Sequence, residues 1–478
     1  METGIKKSFI NNTLFNVIYK ISNVIFPLII SIYTSRVLLP EGIGKVASAQ
    51  NIVSYFTLVA ALGIPNYGIR EIAKVCSSEN KRNQTFSELF VLNFISTSIC
   101  VIAYYIIILS VGFFQENRLL YIVAGISIFL NYISVDWFYY GCEQFSYIAI
   151  RNIIVKIFLA LCVIIFVRGQ EDYIKYAFIS SIVSAGNNAF NWLHLKKYNV
   201  SLQFYNISIA RHLKPIFTML ATVISIEIYT LVDTTMLSVL CSDDVVGYYA
   251  SSSKIIRVIV ILLTAFGGAL LPRLTEYYNI GRKDECESLI NQVFNYLFFL
   301  AVPCGIGMFF VSEYTVLIFY SEAFQEAVTT VKIFSFLLYV LTFSNLFGTQ
   351  VLLTVNEEKK LLIATIIGAV LNVTMNAFFI PMYMQNGAAA ASVISEAIVT
   401  IITFIFAKRY FNIRLLNENI IATFLSSFLM IIVLSVINYC VDGKIKKLIL
   451  MIVFGMLSYF LCSIVSNNPM LKIIKRGS

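Results

Sequence analysis

Charge is what this sequence has least of. Of its 478 residues, 13% are Asp, Glu, Lys or Arg, and only two are histidine, His194 and His212. A soluble domain carries about 25% charge, so this chain cannot cover a water-facing surface of ordinary size. Two histidines and nine cysteines with no CxxC pair leave no transition-metal site to expect. No GxxxxGK followed by Ser or Thr occurs, which removes the phosphate-cradling loop of ATP-driven machines. No nucleophile constellation and no paired carboxylates on an outer loop stand out, so no catalytic residue and no cofactor is assigned. The 35 basic residues outnumber the 26 acidic ones, yet they are dispersed and form no single patch, which argues against nucleic acid as a partner.

What fills the sequence is apolar. Hydrophobic residues make up 59% and aromatics 14%. Apolar runs long enough to cross about 30 Å of hydrocarbon as a helix recur from end to end. A β-barrel would instead show alternating segments of about ten residues. The expected class is an all-α integral membrane protein with about fourteen spans: 11–34, 46–65, 89–112, 119–140, 147–167, 174–193, 215–240, 246–271, 289–311, 330–354, 361–380, 387–406, 420–441 and 446–465. Lys6 and Lys7 before the first run resemble a signal peptide. That run, however, contains Asn11, Asn12, Lys20 and Asn23 and no small-residue cleavage site, so it reads as an uncleaved span. The scattered cysteines read as small apolar packing residues.

The basic residues orient the spans. With the N-terminus inside, 22 of the 35 fall on inner segments and eight on outer ones. That bias places both termini in the cytoplasm. Gly44-Lys45-Val46-Ala47-Ser48 matches Gly247-Tyr248-Tyr249-Ala250-Ser251 at three of five positions, an offset of 203. The same offset puts Arg70 on Arg273. An offset of six spans makes the repeat parallel, a transporter architecture in which substrate binds between the halves. The expected parts are 1–200, 201–412 and a pair of extra spans in 413–478.

Three segments carry a family likeness. DWFYYGCEQFSYIAIRNIIVK (136–156), SRVLLPEGIGKVASAQNIVSYFTLVAALGIPNYGIREIAK (35–74) and LNVTMNAFFIPMYMQNGAAAASVISEA (371–397) resemble segments of the polysaccharide repeat-unit flippases, the O-antigen and capsule exporters related to lipid II flippases and MATE drug exporters. The likeness runs to about Arg409. Tyr139-Tyr140 stand where Phe-Gln is more usual, and Cys142 where Leu or Ile is. The resemblance implies two parallel-repeat six-helix bundles in a V plus two C-terminal helices. It implies alternating access in a bacterial plasma membrane, with undecaprenyl-pyrophosphate-linked oligosaccharide as cargo. Membrane lipids, and the polymerase and chain-length machinery of the same pathway, would be partners.

Cations inside spans are costly. Each Lys or Arg at a helix centre costs about 2.5–3.5 kcal/mol, and four would approach the ~5–15 kcal/mol of a whole fold. Lys20, Lys156, Lys254 and Arg257 must therefore meet water or a partner. Lys254 and Arg257 are three apart and share a helical face. One reading is a cationic cavity whose Lys and Arg hold the pyrophosphate. The other is internal pairing with Asp136, Glu227, Asp233 and Glu396. Asp136 and Arg151 either line the inner entrance or staple two spans. Arg70 and Arg273 read as gate residues or as ordinary positive-inside residues.

Without an ATP loop, coupling falls to an ion gradient, the membrane potential or consumption of product. Asn372 and Asn376 share a face. By analogy with related exporters, Asp233, Asn372, Asn376 and Ser392 form a candidate Na⁺ site, with interhelical amide packing as the alternative. Glu396 is an alternative H⁺ carrier. Competing functional readings are a MATE-like multidrug exporter, a lipid II flippase and, least favoured, a polysaccharide polymerase.

Overall fold

The computed structural model describes the backbone of residues 2–205, 207–265, 270–415, 417–466 and 468–470; side chains are described from residue 22 onward, except at 24, 184, 185, 222, 225, 226, 228–230, 265 and 272. These residues form helices and turns and no strand. Nine helices among them are long and apolar enough to cross a membrane. Contacts divide the chain into two compact units, Met1–Thr235 and Met236–Ser478.

The first unit contains α1 (Glu2–Ala61), α2 (Ile64–Val75), α3 (Glu79–Ser110), α4 (Arg118–Ala124), α5 (Ile126–Phe129), α6 (Asp136–Gly141), α7 (Phe145–Phe166), α8 (Tyr173–His194) and most of α9 (Ala210–Leu240). Two expected spans are continuous in α1, parted only by a kink at Leu39 with φ 58° and ψ 178°. Pro40 follows, and a residue before proline is pushed out of the α region. At the end of α1, Gly63 has φ 73° and a Cβ there would lie 2.8 Å from the Leu220 backbone nitrogen. Only glycine suits both demands. The turn it makes starts α2, which buries Ile64, Tyr67, Gly68 and Ile72 and exposes Arg70 and Lys74.

The expected span 119–140 is broken instead of continuous. After α4 and α5 come a 3₁₀ turn, Leu130–Ile133, and an extended Ser134 with φ −77° and ψ 107°. A break in a membrane helix frees carbonyls that need donors. Side chains of α3 and α8 bond to carbonyls along this segment, two of which, Tyr121 and Asn131, also accept backbone amides from Gly125 and Ser134. Tyr104 donates to the Tyr121 carbonyl at 2.6 Å, Asn93 to Asn131 at 2.8 Å and Asn188 to Leu130 at 3.3 Å.

The second unit contains the end of α9, then α10 (Asp243–Ala265), α11 (Leu270–Asn279), α12 (Lys283–Phe319), α13 (Ala327–Phe334), α14 (Leu337–Ser344), α15 (Glu358–Ala407), α16 (Glu418–Cys440) and α17 (Lys444–Val465). Its expected span 330–354 is likewise interrupted, with a π-helical stretch over Asn345–Leu352. Two further expected spans merge in α15 across Met384, with φ 50° and ψ −129°. Hydroxyls and amides join α16 and α17 to α12 and to each other. Tyr459 donates to the Phe299 carbonyl at 2.7 Å, Tyr314 to Asn438 at 2.6 Å, and Ser463 to Ser426 at 3.0 Å. Such bonds and small residues hold helices together where lipid offers no hydrophobic drive.

Element order repeats at the offset of 203. The kink at Leu39 maps to 242, where α9 gives way to α10, and the described part of the range that α2 maps to, 270–278, lies on α11. The interrupted spans stand in corresponding positions of the two halves, a signature of transporters built from repeats. Eleven of the fourteen expected spans fall on the nine long helices, because α1 and α15 carry two each. The other three lie on the broken segment 118–141, on α8 and on α9.

One expectation about cysteine is corrected. Cys76, at the end of α2, and Cys142, at the end of α6, form a disulfide with Cα atoms 5.8 Å apart. Gly141 brings the two helix ends together, since a Cβ there would lie 2.8 Å from Ile72. Packing, not sequence spacing, pairs them.

Candidate substrate and ion sites

The stretch beginning at Asp136 builds a charged triangle. Arg151 Nη1 donates to Asp136 Oδ1 at 2.9 Å. Asn191 closes the triangle, its amide nitrogen donating to the same Asp136 oxygen and its carbonyl oxygen accepting from Arg151. Tyr139 adds a bond to the Asn191 backbone carbonyl at 2.6 Å. Three elements, α6, α7 and α8, are tied at one point. Arg151 is only 7% exposed, so its charge is held by the carboxylate and by bonds in a poorly hydrated place. Of the two readings of this pair, the geometry is that of a staple. Arg70 on α2 and Arg273 on α11 are exposed, and neither makes an ion pair among the described residues.

The intramembrane cations differ from one another. Lys156 on α7 donates to the Ser22 carbonyl at 3.2 Å and to Asn23 Oδ1. Asn152 donates to that same Asn23 oxygen at 3.0 Å. Amide oxygens, not a carboxylate, hold this lysine between α7 and α1. Lys20 lies outside the described side chains. On α10, Lys254 and Arg257 are both exposed. Arg257 Nε donates to Ser253 Oγ at 3.1 Å. Neither cation makes an ion pair among the described residues, so the internal-pairing reading finds no carboxylate for them there.

The residues of the candidate cation site belong to both units. Asp233 is 3% exposed and lies on α9 in the first unit. Beside it on that helix, Leu231 and Thr235 accept bonds from Asn51 at 3.1 Å and 2.7 Å, and the Tyr55 hydroxyl is 3.0 Å from Thr235 Oγ1. In the second unit, Asn372 and Asn376 are fully buried, with the Asn376 amide donating to Asn372 Oδ1 at 3.2 Å. Ser392 donates to the Ala388 carbonyl at 3.0 Å and lies 3.4 Å from the Tyr249 hydroxyl. Glu396 is 6% exposed, and Glu227 is exposed. Among the described residues no three His, Cys, Asp or Glu side chains gather as a metal site.

Sequence reasoning missed the most deeply buried carboxylate. Glu88, in the first third of α3, has a fully buried side chain. His212 Nε2 is 2.8 Å from its Oε2, Arg211 donates to the same oxygen, and the Ser208 amide donates to Oε1 at 2.9 Å. The Tyr67 hydroxyl is 2.8 Å from His212 Nδ1. The cluster pins Ser208 and the first turn of α9 onto α2 and α3. The available signal was a lone Glu inside the stretch feeding an apolar run, together with one of only two histidines.

Outside the spans, Asp172 caps the turn before α8. Its Oδ2 accepts from the amides of Arg168 at 2.8 Å and Gly169 at 3.0 Å, and its Oδ1 pairs with Lys175 at 2.6 Å. Lys175 first, then the two amides, pull the carboxyl down to about 2.

Against known proteins, residues 9–278 match the family model described as "Polysaccharide biosynthesis protein", and residues 218–378 match the model described as "MatE". A curated Escherichia coli (strain K12) relative, "Putative O-antigen transporter", is 22% identical over 84% of this chain and 97% of its own length. Among solved structures, "Lipid II flippase MurJ, inward closed conformation" superposes with a TM-score of 0.77 at 18% identity, over 96% of this chain and 100% of that one. A multidrug resistance MATE family transporter of the MOP superfamily gives 0.63 at 17% identity, over 80% and 93%. At such identities the structural likenesses establish the fold.

Proposed function

The chain belongs to the polysaccharide biosynthesis protein family, and on that premise we propose that it is a multi-pass flippase for lipid-linked oligosaccharide. The cargo would be an undecaprenyl-pyrophosphate-linked repeat unit, moved from the inner to the outer leaflet of a bacterial plasma membrane by alternating access. Both termini would then be cytoplasmic, in keeping with the bias of basic residues. The working parts would be 1–200 and 201–412, with 413–478 added to them. The chain would act as a carrier and not an enzyme, handing its cargo to polymerase and chain-length machinery outside.

The observation that carries this reading is the pair Lys254 and Arg257. Both are exposed on one face of a membrane-spanning helix with no ion pair among the described residues. Two such cations against lipid would cost about 5–7 kcal/mol, so this face belongs to water and to an anion. A diphosphate suits it: Arg offers a planar fork for phosphate oxygens and Lys a compact charge. A drug exporter for organic cations would want the opposite sign there, which is why that reading ranks second. Lys156, held by neutral oxygens, and Lys20 are candidates for the same anion. For coupling, Asn372 and Asn376 with Asp233 and Ser392 remain the proposed Na⁺ or H⁺ machinery.

The test is accumulation of lipid-linked repeat units in cells depleted of the protein, with Lys254→Ala and Arg257→Ala supplied in turn. Cytoplasmic build-up cured by the wild type and not by either variant supports the reading. Cure by both variants removes those cations from the substrate path, and no build-up in depleted cells overturns the flippase.

A further inference from the structure

A groove of about 400 Å³ opens between α7 and α8, lined by Tyr147, Ile150, Arg151, Ile154, Phe190, Leu193 and His194. Its walls are apolar and outward-facing: Ile150, Ile154, Phe190 and Leu193 are 50%, 56%, 51% and 62% exposed. One end is built of polar groups. The rings of Tyr147 and His194 stack at 3.9 Å with 8° between planes, and Tyr147 donates to the Phe190 carbonyl at 3.1 Å, which fixes that wall to both helices. Arg151 sits beneath with Nη1 committed to Asp136 and Asn191. Its Nε is buried and makes no hydrogen bond among the described residues. Lys196 and Lys197, both exposed, follow at the same end of α8.

We propose that this groove seats one acyl chain of an anionic diacyl phospholipid, its phosphate lying at a rim where Lys196 and Lys197 supply the positive charge and His194 a ring N–H. Three observations converge. An apolar slot on the outer face of membrane helices is filled by hydrocarbon. A methylene occupies about the ~30 Å³ share of a water molecule, so the slot takes on the order of a dozen carbons, one chain and not two. The slot leads to a rim carrying Lys196 and Lys197, where Asp136 is already shared between Arg151 and Asn191. Lysines beside a membrane surface attract acidic lipid by about 1 kcal/mol each, so charge selects the headgroup while shape selects the chain. Beyond the slot, an exposed apolar ridge continues along α7 through Ile157, Phe158 and Leu161, outside the seat of the chain. The lipid would brace α7 against α8 beside the Asp136–Arg151–Asn191 triangle. It is separate from the cargo and independent of the flippase reading.

The experiment is native mass spectrometry of the full-length protein. The protein is delipidated in detergent and given an equimolar mixture of phosphatidylglycerol, phosphatidylcholine and undecaprenyl phosphate. Wild type is compared with Ile154→Trp and Leu193→Trp, which fill the slot from its two walls, and with Leu161→Trp higher on the same ridge. Helical circular dichroism and a monodisperse elution profile establish that each variant is folded. The expected result is one retained phosphatidylglycerol on wild type and Leu161→Trp, reduced at least tenfold in either slot variant. In Lys196→Gln/Lys197→Gln the preference over phosphatidylcholine falls at least threefold. Equal retention by wild type and both slot variants overturns the proposal. So does loss in Leu161→Trp as well, or preferential retention of undecaprenyl phosphate.

Discussion

His212 holds two partners at equal distance: its Nε2 lies 2.8 Å from Glu88 Oε2, and its Nδ1 lies 2.8 Å from the Tyr67 hydroxyl. Arg211 Nε also lies 3.2 Å from His212 Nε2, so carboxylate, guanidinium, imidazole and phenol form one continuous network. Arg211, half exposed, supplies the balancing charge. Glu88→Gln breaks a buried ion pair and turns an NH₂ group toward donors that Oε1 or Oε2 now accepts from. Such losses run about 3–5 kcal/mol when both partners are buried; one exposed partner reduces this to roughly 2–4 kcal/mol. Arg211→Ala removes the charge that balances a fully buried carboxylate, so it is expected to cost about as much, roughly 2–4 kcal/mol. Thermal melts in detergent check both losses, and a melt unchanged from wild type in either variant refutes the network.

Asp136 and Arg151 form a second pair with a different ledger. The aspartate side chain is 40% exposed and the arginine 6%, so removing Asp136 strands the more buried charge. Asp136→Asn therefore destabilises more than its exposure suggests. A double-mutant cycle with Arg151→Gln is expected to return a coupling of about 1–3 kcal/mol. A coupling near zero would show that Asn191 alone carries the junction.

Gly387, just past the kink at Met384, stands where a Cβ would lie 2.2 Å from the Phe379 carbonyl oxygen. Backbone cannot yield as a side chain can, so Gly387→Ala is expected to lower folded yield severely. Gly186→Ala meets nothing within 4 Å and should be neutral or slightly favourable by helix propensity. Fluorescence-detected size exclusion of the two variants in parallel is the check.

Acid acts on the turn before α8 through Asp172. Its folded pKa, about 2, lies below the ~3.9 of a free aspartate. The capping contribution is therefore complete above about pH 4 and is lost as pH falls toward 2. Protection of the Arg168 and Gly169 amides against hydrogen exchange should decline across that window. Asp172→Asn should remove the pH dependence without unfolding the bundle.

Cys76 and Cys142 predict a countable chemistry. Oxidised protein, denatured without reductant, should take up seven thiol labels, matching the free cysteines, and two more after reduction. Cys76→Ser should leave Cys142 as an eighth reactive thiol. Nine labels without reductant under oxidising conditions would refute the pairing.

Much of the fold could be read from the sequence because a membrane imposes simple rules. Apolar length gave the spans, and the Gly44–Ser48 and Gly247–Ser251 match gave the repeat. Lys254 and Arg257 stood out because charge in hydrocarbon is costly wherever it occurs. Span 119–140 misled for the same reason. Its composition is mostly apolar despite Ser127, Asn131, Ser134 and Asp136, and its break is bonded by Tyr104, Asn93 and Asn188 on other helices, whose donors reach its carbonyls only after packing.

The sequence by itself determined the class of the molecule, its helical length scale, its internal repetition and the helix faces that carry charge, since each follows from transfer energies and periodicity along one chain. Tertiary structure alone decided the partners. Glu88 meets His212 across 124 positions, Arg151 meets Asp136 and Asn191 on two other helices, Cys76 finds Cys142, and α7 and α8 part to leave the lipid-facing slot. Those pairings depend on distances through space between helix faces, and hydrogen bonds and ion pairs act over a few ångströms that local sequence does not measure.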